Sequence, residues 1–258
     1  MNRVRENSIR LAIYSISPAV VFLLWEICTR SGLLDERFFP APSSIFHHLI
    51  FVSPGEGIFT DIIYSVFRIV SGYVIGCTLG IVLGVGMGLY RPLRLMFYPL
   101  IMVTYPIPKI AVLPLIMLIF GIGELSKIVV VAIGSFFLVL VNTLHGVDSL
   151  AKIYHDVAAV YKIEVSRFVT RVVIPGSLPS IFTGLKLAIG YSLVIVVAAE
   201  FSGADKGIGF LIWQSWETFS IKSMYAGIFV IGILGFIFSY CLDLLERILV
   251  PWKDGRGQ

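Results

Sequence analysis

Apolar runs long enough to cross a lipid bilayer take up most of this chain, and one long polar island breaks them apart. A helix of 18 residues rises about 27 Å, just enough for a hydrocarbon core of about 30 Å. Runs of that length predict spans over residues 11–28, 62–89, 95–120, 125–144, 180–201 and 224–250. Of the 258 residues, 57% are hydrophobic and 14% charged, whereas a soluble globular domain carries about 25% charged residues. The expected fold class is therefore all-α: a polytopic membrane protein of about six transmembrane helices, forming a single transmembrane domain over residues 1–258. The net charge of +4 bears first on orientation in the bilayer and does not point to nucleic acid.

Orientation follows from the basic residues. With the N-terminus in the cytoplasm, Arg3, Arg5, Arg10, Arg91, Arg94, Lys152, Lys162, Arg167, Arg171, Arg247, Lys253 and Arg256 lie inside, and only Arg30, Arg37, Lys127, Lys206 and Lys222 lie outside. Twelve against five supports two cytoplasmic termini and puts the polar island, residues 147–179, where a soluble partner reaches it. The basic start before residues 11–28 resembles a secretory signal. That run is longer than a signal core and no small-residue cleavage site follows, so it is read as a retained span. Cys28, Cys77 and Cys241 fall inside apolar runs at wide spacing. They read as small buried hydrophobes, not as a disulfide or metal framework.

The island has helical character of its own. Leu150, Ile153, Val157, Val160 and Tyr161 recur at spacings of three and four, which places them on one face of a short helix. Asp148 or Ser149 is expected to cap its start. A second short helix fits residues 166–173, and Pro175 is expected to end it, because proline lacks the amide donor and disfavours helix at the residue before it. Two readings stay open on pattern alone: a docking platform for a partner, or a loop resting on lipid headgroups.

Two spans stand out. In 62–89, Gly72, Gly76, Gly80, Gly84 and Gly88 recur every fourth residue. Bare glycine faces admit a second backbone, which reads as close helix packing or as a sliding interface in a transport core. In 95–120, Pro99, Pro106, Pro108 and Pro114 accompany Lys109. Prolines are tolerated in a membrane where protein or a water-lined cavity satisfies the freed carbonyls, and a lysine there is expected to face the bundle interior. A short surface helix is expected near residues 44–52, and Trp213, Trp216 and Phe219 give 202–223 an interfacial character.

Chemistry that would power or catalyse a reaction is missing. The string GIGELSKI at 121–128 lacks the second glycine and the hydroxyl of a phosphate-cradling loop. Asp61, Glu200, Glu26 and Asp243 lie near span ends, so no proton relay is evident. His47, His48, His145 and His155 form no metal-ligand pair. No catalytic constellation and no metal site are expected. A multi-span bundle with a cytoplasmic platform points to a pore-forming subunit driven by something else.

At the island the sequence resembles the permease subunits of bacterial ABC importers, whose signature is E-A-A-x-x-x-G followed by I-x-L-P. Asp156-Val157-Ala158 stands at E-A-A, Ala159 and Tyr161 fall inside the motif, and Lys162 stands at the glycine. Val157-Ala158-Ala159 offers an alternative register. Val172-Val173-Ile174-Pro175 and then Leu178-Pro179 fit the end. Lys162 departs from the pattern, since glycine makes a left-handed turn at little cost. More of the chain resembles the branch that imports nitrate, sulfonates, taurine and bicarbonate, with relatives for thiamine and riboflavin precursors. Phe39-Pro40-Ala41-Pro42-Ser43, Pro106-Ile107-Pro108-Lys109-Ile110-Ala111 with Leu113-Pro114-Leu115, Gly121-Ile122-Gly123, and Ala198-Ala199-Glu200 carry that resemblance in order and spacing.

The resemblance implies a permease that pairs with a second copy. It further implies cytoplasmic ATPase subunits holding ATP and Mg, an extracytoplasmic substrate-binding protein, and a home in the bacterial inner membrane. It casts the loop at 147–179 as the ATPase-coupling segment. Pro106, Pro108, Lys109 and Glu200 are the candidates for the translocation path; an internal salt bridge or headgroup contact is the plainer role for Lys109 and Glu200. A small anion is the first expectation for the substrate and a vitamin precursor the second. The rivals are a self-sufficient secondary carrier and a membrane enzyme or scaffold.

Overall fold

The computed structural model describes residues 2–150 and 152–252, and the side chains of 16–150, 153, 154, 156–158 and 160–252. Lys253 and Arg256 of the charge count lie outside the described residues, as do the side chains of Arg3, Arg5, Arg10, Lys152, His155 and Ala159. The helices in chain order are α1 (Asn2–Arg30), α2 (Pro42–Phe51), α3 (Ile58–Leu89), α4 (Arg91–Thr104) and α5 (Leu113–Phe120). They continue with α6 (Glu124–Asp148), α7 (Lys152–Val160), α8 (Val165–Phe168), α9 (Ile174–Phe201), α10 (Ile208–Glu217) and α11 (Ile221–Leu249). A 3₁₀ turn, Lys109–Val112, precedes α5, and a π turn, Val169–Val173, joins α8 to α9.

Among the described residues, α3, α6, the continuous run Val165–Phe201 and α11 are each long and apolar enough to cross a membrane. The expected span 11–28 lies within α1, partly on residues whose side chains are not described. The expected span 95–120 is not one rod: Arg91–Thr104 and Lys109–Phe120 meet at a bend of 92°. Pro106 and Pro108 explain the break, since neither has an amide hydrogen to donate to the preceding turn, although Tyr105 before Pro106 is itself still helical. Pro114 sits in the first turn of α5, where the missing hydrogen is not needed.

The chain divides into two compact units, Met1–Phe59 with Leu211–Phe229, and Thr60–Phe210 with Val230–Gln258. In the first, Phe22, Trp25, Phe46, Tyr225 and Phe229 cluster with ring centroids between 5.0 and 6.5 Å apart. The start of α2 is capped from a distance. Ala41, its N-cap, offers no side-chain oxygen, and the Glu26 carboxylate accepts from Ser43 N at 3.0 Å and Ser43 Oγ at 2.7 Å instead.

In the second unit, Gly72, Gly76, Gly80, Gly84 and Gly88 all lie against α6. A Cβ added at Gly72 would stand 2.6 Å from the Ile128 carbonyl oxygen, and one at Gly80 would stand 2.8 Å from that of Phe136. At Gly76 it would run into the Ala132 carbonyl, and at Gly84 and Gly88 into Thr143 and Val147. Backbone therefore rests on backbone at Gly72, Gly76 and Gly80, and Thr143 and Val147 side chains fill the space left at Gly84 and Gly88. The other side of α6 takes α9, with Gly146 against Ser177 and Ser180 and Gly184 against Val139 and Asn142. Ile69, Val130, Val131, Ile189, Ile195 and Val196 fill the core between the three helices.

Gly72→Val and Gly80→Val are each expected to lower stability by about 1–3 kcal/mol, the cost of overpacking a close interface. Val82→Ala, on the exposed side of the same helix, is expected to change it little. Thermal unfolding of the three variants in detergent micelles checks this, and equal melting temperatures would contradict the seam.

Candidate functional site

The polar island folds as α7, a tight turn, and the α8–π–α9 run. Its base is anchored. Leu150, Ala158, Phe168, Val172 and Val173 pack with Val85, Leu89 and Val147 at the ends of α3 and α6. Its outer face is not covered by the rest of the chain: Ile153, Tyr154 and Val157 are exposed, as are Val160 at 77% and Tyr161 at 76%. Asp156 is exposed beside them. Ala158 faces the base instead, and the side chain of Ala159 lies outside the described residues.

The turn after α7 is a Schellman motif. Ile163 N donates to the Ala158 carbonyl at 2.9 Å, and Lys162 between them has φ +49°. That is the position where helices favour glycine, and here a lysine takes the left-handed conformation. Of the two expected caps, Asp148 ends α6 and binds Arg94, and Ser149 Oγ donates back to the Gly146 carbonyl at 2.8 Å, while the first residues of α7 that a cap would reach lie outside the described side chains. The expectation at Pro175 is corrected, since it does not end a helix. The π turn at Val169–Val173 widens the helix just before it, which accommodates a residue without an amide hydrogen, and α9 runs on through Pro175 and Pro179.

At the opposite end of α9, one guanidinium gathers the second unit. Arg68 of α3 donates Nε and Nη2 to Glu124 at 2.5 and 2.6 Å. Its Nη1 donates to Glu200 and to the Lys206 carbonyl, both at 2.7 Å. The side chains of Arg68 and Glu200 are 1% and 0% exposed. Ser65 Oγ donates to Glu200 at 2.7 Å and accepts from Ile208 N at 2.8 Å. Gly209 N donates to Glu200 and Gly207 N to Asp61, each at 2.7 Å. The amides that open α10 are thus satisfied by side chains of α3 and α9. A Cβ at Gly207 would stand 2.6 Å from Arg68 Nη1, so the clasp requires glycine there. Beside the clasp lies a cavity of about 450 Å³ lined by Tyr64, Arg68, Glu124, Lys127, Asp205 and Lys206.

Two buried lysines cap backbone carbonyls, Lys109 at the helix break and Lys127 at the turn between α5 and α6. Lys109 Nζ donates to the carbonyls of Thr104, Tyr105 and Ile107 at 2.7, 3.1 and 2.9 Å, and stands 4.2 Å from the centre of the Phe137 ring. These N–H bonds satisfy carbonyls at the break, among them that of Thr104, whose helical donor four residues on is replaced by Pro108. Lys127 Nζ does the same for Ile122, Gly123 and Gly203, at 2.7, 3.2 and 3.0 Å. A cavity of about 260 Å³ opens beside Lys109, lined by Tyr105, Gly134, Phe137, Leu138 and Tyr191.

Lys109 and Glu200, both singled out from sequence, do not meet. The partners of Lys109 are carbonyls, and the counter-ion of Glu200 is Arg68. Sequence reasoning left Arg68, Glu124, Ser65 and Asp61 without a role. Arg68 carried a signal, as a lone cation deep in an apolar run is costly without a partner. Among the described residues no three His, Cys, Asp or Glu side chains stand together as metal ligands.

Two outcomes are expected of this geometry. Arg68→Ala strands the buried Glu200 and should destabilise the protein by about 3–5 kcal/mol, read as a loss of folded material in detergent; Arg68→Ala with unchanged melting would contradict the clasp. Lys162→Gly relieves a left-handed L-residue, worth about 1 kcal/mol, and should raise the melting temperature, while Lys162→Val should lower it.

Residues 76–255 match the family of the binding-protein-dependent transport system inner membrane component. The taurine transport system permease protein TauC of Escherichia coli is 31% identical over 239 residues, covering 91% of this chain and 87% of TauC. The bicarbonate transport system permease protein CmpB of Synechococcus elongatus is 32% identical over 237 residues, covering 87% of this chain and 84% of CmpB. In fold, a chain of the MetNI methionine ABC transporter in an inward-facing conformation matches with a TM-score of 0.58 at 18% identity, over 75% of this chain and 94% of that one. The resemblance read from the island and the proline segment holds across nearly the whole length, and the chain belongs to the binding-protein-dependent transport system inner membrane components, the permease subunits of ABC importers.

Proposed function

We propose that the chain forms, with a second copy of itself, the translocation path of an importer for a small anion such as nitrate, a sulfonate, taurine or bicarbonate. Cytoplasmic ATPase subunits carrying ATP and Mg drive it, and an extracytoplasmic binding protein loads it. Both termini and the island face the cytoplasm. The observation that carries this reading is the outer face of α7: Ile153, Val157, Val160 and Tyr161 are exposed on a helix whose other side is anchored to the bundle. A short helix with an apolar face and a packed base suits insertion into a groove on a partner. Asp156 and Lys162 flank that face, with Pro175 and Pro179 in the helix that connects it to the membrane.

An anion is favoured by the surroundings of Lys109. Carbonyl dipoles hold its ammonium, and among the described residues no carboxylate pairs with it, so the net positive charge beside the cavity is available to an anion. Pro106 and Pro108 contribute by holding the helix open there. Glu200 contributes through the clasp, which fixes the far ends of the helices around the path.

The test is co-purification of an ATPase subunit from native membranes in mild detergent, followed by uptake of labelled taurine, methanesulfonate and bicarbonate into proteoliposomes. Wild type is expected to retain a stoichiometric ATPase, and Val160→Glu, which places a charge on the exposed face and spares the base, is expected to lose it at least tenfold. An ATPase that stays bound to Val160→Glu removes α7 as the docking site. Uptake by the chain alone, without ATP, replaces the importer with a secondary carrier.

A further inference from the structure

On its N-terminal side α7 follows α6 directly, since α6 ends at Asp148 and α7 begins at Lys152. A side-chain bridge ties that same end of α6 to α4. Arg94, near the start of α4, donates Nη1 and Nη2 to the two carboxylate oxygens of Asp148, each at 2.8 Å. Behind this bridge a crevice of about 170 Å³ separates α4 from α6, lined by Tyr98, Met102, Val141, Leu144 and His145 among others. Arg94 and Asp148 line one end of the crevice, and Ile101 of α4 packs on Leu140 and Leu144 of α6 within it. The far end of α4 is the break held by Lys109.

Neither residue is placed to suit its own helix. The N-terminus of a helix carries partial positive charge and the C-terminus partial negative charge. Arg94 lies near the positive end of α4, and Asp148 lies at the negative end of α6. Local helix stability would favour the reverse assignment. The pair is also half-exposed, at 40% and 37%, so it adds little to overall stability. What a bidentate pair does supply is a fixed direction between two elements.

We infer that Arg94 and Asp148 form a strut that carries the movement of α7, passed to the adjoining end of α6, into α4 and on to the break beside Lys109. They are positioning residues for the transport cycle and do not touch solute. This rests on the reading of α7 as the ATPase-docking helix.

Hydrogen exchange of the purified permease–ATPase complex tests it, comparing nucleotide-free complex with complex trapped by ATP and vanadate. In wild type, segments 91–104 and 152–160 should both change protection between the two states. In Arg94→Ala and in Asp148→Ala, 152–160 should keep its change while the change in 91–104 falls threefold or more, with ATP still hydrolysed. Exchange of the pair, Arg94→Asp with Asp148→Arg, should restore the response of 91–104. It also puts each charge at its favoured helix end, so this variant is expected to fold at least as well as wild type. The strut is overturned if 91–104 responds equally in the single variants, does not respond in wild type, or stays silent in the exchanged variant while 152–160 responds. A wild-type complex that holds no ATPase is a separate failure: it removes the importer reading, and the strut with it.

Discussion

The guanidinium of Arg68 sets the terms for the bundle. A charge buried among apolar helices costs several kcal/mol unless it is paired and fully hydrogen-bonded. Arg68 meets that demand only by drawing carboxylates from two other helices, Glu124 at the start of α6 and Glu200 near the end of α9, together with the carbonyl of Lys206. Once those groups converge, the start of α10 is decided as well. Its first amides find Asp61, Ser65 and Glu200 already in place, and Gly207 is the residue that fits between them. One desolvated cation thereby specifies the relative position of α3, α6, α9 and the loop that follows α9.

Away from the clasp, two kinds of helix stand side by side. α3 and α6 are pressed together along bare glycine, so little movement between them is possible without separating backbones. The α4–α5 pair is the opposite. Its proline break frees carbonyls that must be satisfied in a medium without water, and Lys109 does so with a long, flexible side chain. A rigid seam beside a hinged pair, joined by Arg94 and Asp148 at one end, is an arrangement suited to a subunit that changes conformation without losing its core.

Legibility from sequence followed the range of the interaction. The apolar runs, the glycine period in α3 and the exposed stripe of α7 are patterns of spacing within one helix, and hydropathy and helical geometry make such patterns readable. Proline chemistry is local too, and it announced a disturbed span at 95–120, although not a bend of 92°. At Pro175 the same local rule misled, because a single π turn absorbs the missing hydrogen and lets the helix continue. Asp148 is a capping residue by position, and what the fold adds is an arginine 54 positions earlier that holds it.

What the sequence determined by itself is the class of molecule: a helical membrane subunit interrupted by one polar, helix-forming island, read from hydrophobic length and spacing. What only the tertiary structure decided is who pairs with whom. Glu200 lies 132 positions from Arg68, and no local pattern links them; lysine, arginine or a backbone amide would each have satisfied a buried carboxylate equally well on paper. Lys162 shows the same limit at close range. Its left-handed φ runs against its residue type. It is held there because the Ala158 and Ile163 backbones close the turn and the packed base of the island fixes where the chain must go next.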